Sequence, residues 1–291
     1  MSNVIDQTVK DFYAVYHADC VDMYKGLPDE SVQYSVFSPP FESLYAYTAS
    51  DRDMGNSANS DEFWQHYKFL VDEQYRAHMP GRCLSVHCMN LPTSKVHHGY
   101  IGIRDFRGEI IRAYEASGWI YHSEVCIWKD PVTAMQRTKA LGLLHKTIRK
   151  DSAMSRMGIP DYVVTFRKPG QNPEPIPHDA EDFPVEEWQR LASPIWTDIR
   201  QSDTLQYRSA REDQDEKHIC PLQLEVIRRC IRLWSNPGDT VVSPFTGIGS
   251  EGYVALQNGR RFLGSELKAS YYRQACANLD AALGDQGDMF G

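Results

Sequence analysis

The chain has 291 residues, of which 42% are apolar and 24% charged, and it carries a net charge of −8 at neutral pH. That length suits one large α/β domain, or a domain with one substantial insertion, and the acidic balance argues against a generic nucleic-acid coat. There is no apolar run of about eighteen residues to cross a membrane and no basic, then apolar, N-terminal leader, so neither a membrane span nor a signal peptide is expected.

In chain order, residues 12–18 read as a strand ending at Asp19, where an acid suits either a helix N-cap or a ligand site at a strand's C-terminal end. The apolar run 32–37 reads as a buried strand, stopped by Ser38-Pro39-Pro40-Phe41. Consecutive prolines hold an extended backbone that donates no hydrogen bond. The corner therefore offers carbonyl oxygens, a hydroxyl and a ring, which suits an amino group on a flat heterocycle. Residues 42–60, rich in Ser, Asn, Asp and Gly, read as a loop that could cover it.

From Asp61, Trp64, Tyr67, Val71 and Tyr75 recur at helical spacing, and Cys83 to Cys88 reads as the next strand. Histidines and cysteines at 78, 83, 87, 88, 97 and 98 match no zinc signature, so no metal is expected. The seven cysteines form no Cys-x-x-Cys pair and fit reduced thiols in a cytosolic protein. A helix from 109 to 117 and strands over 119–128 and 161–166 follow.

Charge is unevenly placed. Residues 129–168 hold nine Lys and Arg against three Asp, whereas 171–216 hold four Arg against twelve acids. The first stretch is a candidate face for an anionic ligand. The second, rich in proline near its start, reads as irregular structure or an inserted module.

Pro221 is expected to open a helix with Val226, Ile227, Cys230, Ile231 and Trp234 inward and Arg228, Arg229 and Arg232 on another face. Residues 239–243 then read as a strand, Pro244 to Gly249 as a glycine turn, and 251–258 as a helix. This is a nucleotide-binding arrangement, because glycines admit close backbone approach and a helix start presents free N–H groups. Glu266 ends the next strand, about twenty residues beyond the turn, where an acid binds two ribose hydroxyls.

With both stretches in hand, the chain resembles the DNA amino-methyltransferases, which methylate N4 of cytosine or N6 of adenine. Ser38-Pro39-Pro40-Phe41 is similar to their catalytic (Asp/Asn/Ser)-Pro-Pro-(aromatic) motif, and Ser243 to Ser250 to their cofactor loop, Asp-Pro-Phe-x-Gly-x-Gly-(Ser/Thr). The catalytic motif comes first, the order of the β class, in which target recognition lies between the two. The resemblance implies a Rossmann-like, mostly parallel seven-stranded sheet with one antiparallel strand. It implies S-adenosylmethionine as cofactor, held by Asp19, His218, Ser243, Phe245, Thr246, Gly247, Gly249, Ser250 and Glu266.

The implied halves are 1–168, catalytic, and 217–291, cofactor-binding, with 169–216 as an insertion or target-recognition region. Double-stranded DNA is the implied partner, with phosphate contacts from Lys129, Arg137, Lys139, Lys146, Arg149, Lys150 and Arg156. The resemblance admits a homodimer and a bacterial cytoplasmic setting, and the compact form is similar to phage- or prophage-borne members.

Two positions depart from the common pattern. Ser243 replaces the loop's Asp, which removes a charge facing the cofactor's ammonium and implies weaker cofactor binding. Ser38 replaces Asp in the corner; Ser-Pro-Pro is commoner among N4-cytosine enzymes, which favours cytosine over adenine. Two other readings remain open: an inactive, methyltransferase-like DNA-binding protein, and an enzyme acting on RNA or a protein side chain.

Overall fold

Neighbouring residues on a strand turn to opposite faces, and several apolar pairs of this chain use that geometry to build two cores at once. The computed structural model describes residues 4–41, 54, 57, 60–132, 145–206 and 221–287. The first half contains β1 (Asp6–Val9), β2 (Tyr13–His17), α1 (Cys20–Lys25), β3 (Tyr34–Phe37), α2 (Ser60–Ala77) and β4 (Cys83–Met89). A small antiparallel pair follows, β5 (Leu91–Thr93) and β6 (Gly102–Arg104), with α3 (Lys95–His98) between them. Next come α4 (Phe106–Ala116), β7 (Ile120–Ile127), α5 (His145–Asp151) and β8 (Asp161–Arg167). The chain continues through α6 (Val185–Leu191), β9 (Ile195–Trp196), α7 (Leu224–Trp234), β10 (Thr240–Ser243), α8 (Ser250–Gln257), β11 (Arg261–Glu266) and α9 (Ala269–Gly287).

Nine of these strands form one sheet in the order β1-β2-β11-β10-β3-β4-β8-β7-β9. β2, β11, β10, β3 and β4 are mutually parallel, and β8 runs antiparallel to both β4 and β7. The inner seven thus match the expected sheet with its single reversed strand. The strand count is larger than seven because each edge carries one more. β1 folds back on β2 as a hairpin, and β9 adds a two-residue parallel pairing to β7.

Val36, Val163 and Val241 face the side covered by α7, α8 and α9, where they meet Val226, Ile227, Ile231, Val254 and Leu279. Phe37, Val164 and Val242 face the other side, against Met23, Phe63, Tyr67, Leu70, Ile110 and Tyr114 from α1, α2 and α4. Full burial of one such side chain is worth about 1.5–3 kcal/mol, so both layers are anchored by the same strands.

The bottom of the sheet is tied by a buried ion pair. Arg82, fully buried, pairs with Asp239 and donates to the carbonyl oxygens of Gln33 at 3.0 Å and Glu174 at 2.8 Å. These contacts lash the start of β4 to β10, to the approach of β3 and to the acidic segment. The acids of that segment meet α7: Asp182 bonds Arg232 at 2.7 Å and Asp198 bonds Arg229 at 2.6 Å.

Here the helical pattern misled. Arg229 is buried, not outward, because Trp196 of β9 lies 5.0 Å beneath its guanidinium and Asp198 and Glu225 satisfy its charge. The helix also starts at Leu224, three residues later than Pro221, since Asp203 of a distant loop caps it through the amides of Leu224 and Glu225.

Candidate active site

β10 and β3 lie side by side and parallel, with Val241 opposite Tyr34 and Val242 opposite Ser35. The chain leaves β10 through α8 on one face and leaves β3 through α2 on the other. Such a reversal opens a crevice at the strands' C-terminal ends, where open α/β sheets bind ligands. The proline corner and the glycine turn meet there: Phe37 and Phe245 approach to 5.9 Å between ring centroids, tilted by 59°.

The turn is shaped by backbone requirements. Gly247 and Gly249 have φ of 54° and 89°, the left-handed region that favours glycine. At Gly249 a Cβ would stand 2.6 Å from Leu279 Cδ1 and 3.2 Å from the Ala275 backbone, so α9 can approach only a bare glycine. Thr246 is buried, and its amide donates to the Ser265 carbonyl at 2.9 Å, which pins the turn to β11.

Glu266 curls back onto the turn. Its Oε2 accepts from the Gly247 amide at 2.8 Å and its Oε1 from the Lys268 amide at 2.9 Å, so the carboxylate is fixed in orientation. Asp19, across the same end of the sheet, caps α1 by accepting from the amides of Val21 at 2.9 Å and Asp22 at 3.2 Å. The cap expected from its spacing is therefore present, at the rim where the resemblance expects a ligand acid. His218 lies outside the described residues.

Two hydroxyls in this crevice, those of Ser243 and Ser250, are buried without a hydrogen-bond partner among the described residues. An orphaned buried hydroxyl costs about 1–3 kcal/mol, which a ligand supplying the missing partner would recover. This is the property expected of residues that hold a polar cofactor. Sequence reasoning missed Glu251, in the first turn of α8. Burial first, and then the negative Glu266, push its carboxyl up to about 8.

On the other strand, Pro39 and Pro40 are buried while Ser38 and Phe41 are half-buried at the lip. Phe41 leans on Phe106 with ring centroids 5.9 Å apart. Ser38 Oγ lies 2.9 Å from His87 Nδ1, at the end of β4. His87 Nε2 in turn lies 3.2 Å from Asp161 Oδ2, and Lys129 Nζ lies 2.5 Å from Asp161 Oδ1. Burial would raise the Asp161 carboxyl, but Lys129 and His87 outweigh it and hold the group below its ordinary value.

Lys129 thus supports the corner from within. Arg149 and Lys150 are exposed on α5, whereas Arg156 is half-buried with its Nη1 on the Met157 carbonyl. Arg137, Lys139 and the side chain of Lys146 lie outside the described residues.

A family model described as DNA methylase, of the N6/N4 kind, matches residues 32–277. The chain belongs to this DNA methylase family. A relative from Escherichia coli (strain K12), the DNA adenine methyltransferase YhdJ, is 37% identical over 275 residues, covering 92% of this chain and 83% of its own. Among solved structures, a DNA modification methylase from Thermus thermophilus, in complex with S-adenosyl-L-methionine, superposes with a TM-score of 0.69 at 22% identity, covering 91% of each chain. The PvuII cytosine-N4-specific DNA methyltransferase superposes with a TM-score of 0.67 at 15% identity, over 95% of this chain and 90% of its own. At those identities the two structures speak to the methylase fold alone.

Proposed function

We propose that the chain moves a methyl group from S-adenosylmethionine to the exocyclic amine of a base flipped out of duplex DNA, N4 of cytosine first. The observation that carries this reading is the Ser38-Pro39-Pro40-Phe41 corner standing beside a crevice whose buried Ser243 hydroxyl has no partner among the described residues. N6 of adenine is the second reading, favoured by the 37% identical adenine methyltransferase of Escherichia coli.

When bound, S-adenosylmethionine would supply a sulfonium-activated methyl group, which an amine lone pair can attack in line as the S–CH3 bond breaks and S-adenosylhomocysteine leaves. The residues here would hold it: Glu266 at the ribose, Ser243 at the methionine ammonium, and the Gly247 to Gly249 turn against the backbone side. The amine lies inside a paired duplex and must be extruded to react. Phe41 stacks on the extruded ring, and Phe106 behind it keeps that ring from folding away. Ser38 Oγ and the Pro39 carbonyl accept the amine's hydrogens, which biases its nitrogen toward a tetrahedral form. Catalysis is then mostly positioning and fixed dipoles, and the methylated amine sheds its proton late. Phe245 would add a modest cation–π contact to the sulfonium. The exposed Arg149 and Lys150 are assigned to DNA phosphates.

The test is transfer of labelled methyl from S-adenosylmethionine to duplex DNA by the full chain and by Phe41→Ala. Turnover should fall about 100-fold in the variant while cofactor Kd changes by less than about threefold. Equal losses in both would remove Phe41 from the base site. Transfer to RNA or protein but not DNA would overturn the substrate.

A further inference from the structure

The histidine at the end of β4 is not accounted for by the methylase motifs. β4 and β8 are antiparallel with His87 opposite Val163 and Met89 opposite Asp161, so His87 and Asp161 are diagonal neighbours on one face of the sheet. β7 pairs with the far side of β8, with Ile127 opposite Asp161, and the chain two residues further on delivers Lys129 to the same face. β3 ends one strand away from β4, with Phe37 opposite Val86, so Ser38 emerges next to His87. Four chain segments thus converge behind one hydroxyl.

The charges are arranged to give that convergence a direction. Asp161 is almost fully buried and Lys129 already balances its charge, so the buried pair calls for no second cation. An uncharged imidazole carries one proton. The carboxylate 3.2 Å from Nε2 favours the proton there, although the contact is not aligned as a hydrogen bond. Nδ1 is then a bare acceptor, 2.9 Å from Ser38 Oγ, and the hydroxyl must donate to it. A hydroxyl whose proton is engaged in this way keeps its lone pairs for another donor.

We infer that His87 is a positioning residue whose tautomer, set by Asp161 and Lys129, fixes the Ser38 hydroxyl as an acceptor facing the target amine. This rests on the proposed reaction at the same corner. It also explains how a serine serves at a position where the resembled motif admits Asp, Asn or Ser. A free hydroxyl could donate or accept, and only the accepting orientation draws the amine's hydrogens away from its lone pair. Lys129 is accordingly not free for DNA, and its contribution is the charge balance of Asp161.

The experiment uses the full-length protein and two readouts. The first is single-turnover methyl transfer, with cofactor and DNA Kd measured separately, for wild type, His87→Ala, His87→Asn and Asp161→Asn. His87→Ala should lower the rate about 100-fold with both Kd values within about threefold. His87→Asn places an amide oxygen where Nδ1 accepts and should recover at least about tenfold of that loss. Asp161→Asn should lower the rate with His87 still in place.

The second readout is nitrogen NMR of the His87 ring, which needs no turnover. It should report a proton on Nε2 and none on Nδ1 in wild type, with that preference lost in Asp161→Asn. A wild-type proton on Nδ1, or His87→Asn as slow as a folded His87→Ala, would overturn the inference. A wild type that moves no methyl to DNA would sink the proposed function instead, and the ring spectrum would still decide the tautomer.

Discussion

Phe37 and Phe245, more than two hundred residues apart in sequence, bring their rings to 5.9 Å at the point where the sheet's connections reverse. One ends the strand that leads to the proline corner, and the other opens the glycine turn. Their contact makes a single site from two motifs that are far apart in the chain. Its consequences can be measured residue by residue.

Gly249 is the point at which the turn touches α9. Gly249→Ala adds a Cβ 2.6 Å from Leu279 Cδ1 in a backbone with φ of 89°, so the turn and the helix must separate. Strain of this kind costs about 1–3 kcal/mol. A cofactor Kd weakened about tenfold or more, together with a lower Tm, is expected from isothermal titration and thermal unfolding. An unchanged Kd would mean the turn does not contact the cofactor.

Ser243 is a buried hydroxyl without a partner among the described residues, at the position where the resembled cofactor-loop pattern has Asp. Ser243→Asp restores a charge toward the cofactor's ammonium, and a charge-assisted hydrogen bond is worth about 1.5–3 kcal/mol against about 1 for a neutral one. The variant should bind S-adenosylmethionine up to about tenfold more tightly at neutral pH. A Kd that is unchanged or weaker would show that the serine is not a weakening substitution.

Glu251 links the site to pH. Its carboxyl is raised from 4.5 to about 8, by burial and then by Glu266. The folded chain therefore retains a proton that the unfolded chain loses from about pH 4.5 upward. Stability contributed by this group is fully present below that pH and is lost as pH rises through about 8. Glu251→Gln mimics the protonated form. Its Tm should match wild type near about pH 5 and exceed it near about pH 8.5, and parallel Tm curves would refute the assignment.

Arg149 and Lys150 are exposed on α5, in the stretch assigned to phosphate. Replacing both with alanine should weaken DNA binding about equally across sequences and flatten the salt dependence by about one unit of slope per lost contact. A variant with the wild-type salt slope would move the DNA face elsewhere on the molecule.

Much of this was legible in the sequence because the informative segments are local. Strand, glycine turn, helix and Glu266 follow one another within thirty residues, and two prolines after an apolar run mark a corner without any tertiary information. The support behind Ser38 was not legible, because it exists only once β8 is inserted antiparallel between β4 and β7. From sequence, His87 looked like one of several scattered histidines and Lys129 like one more basic residue. Arg229 was misplaced for the same reason: helical spacing cannot foresee that β9 will lay Trp196 and Asp198 over it. Among the described residues, Asp182 and Asp198 of the acidic stretch find counter-charges in Arg232 and Arg229 of α7.

The most direct measurement is mass spectrometry of nucleosides digested from duplex DNA after incubation with the protein and methyl-labelled S-adenosylmethionine. The account predicts label on an exocyclic amine, as N4-methylcytosine, with N6-methyladenine preserving the mechanism and changing only the base. Label on a ring carbon, or no labelled base from a protein that still binds the cofactor, would contradict it.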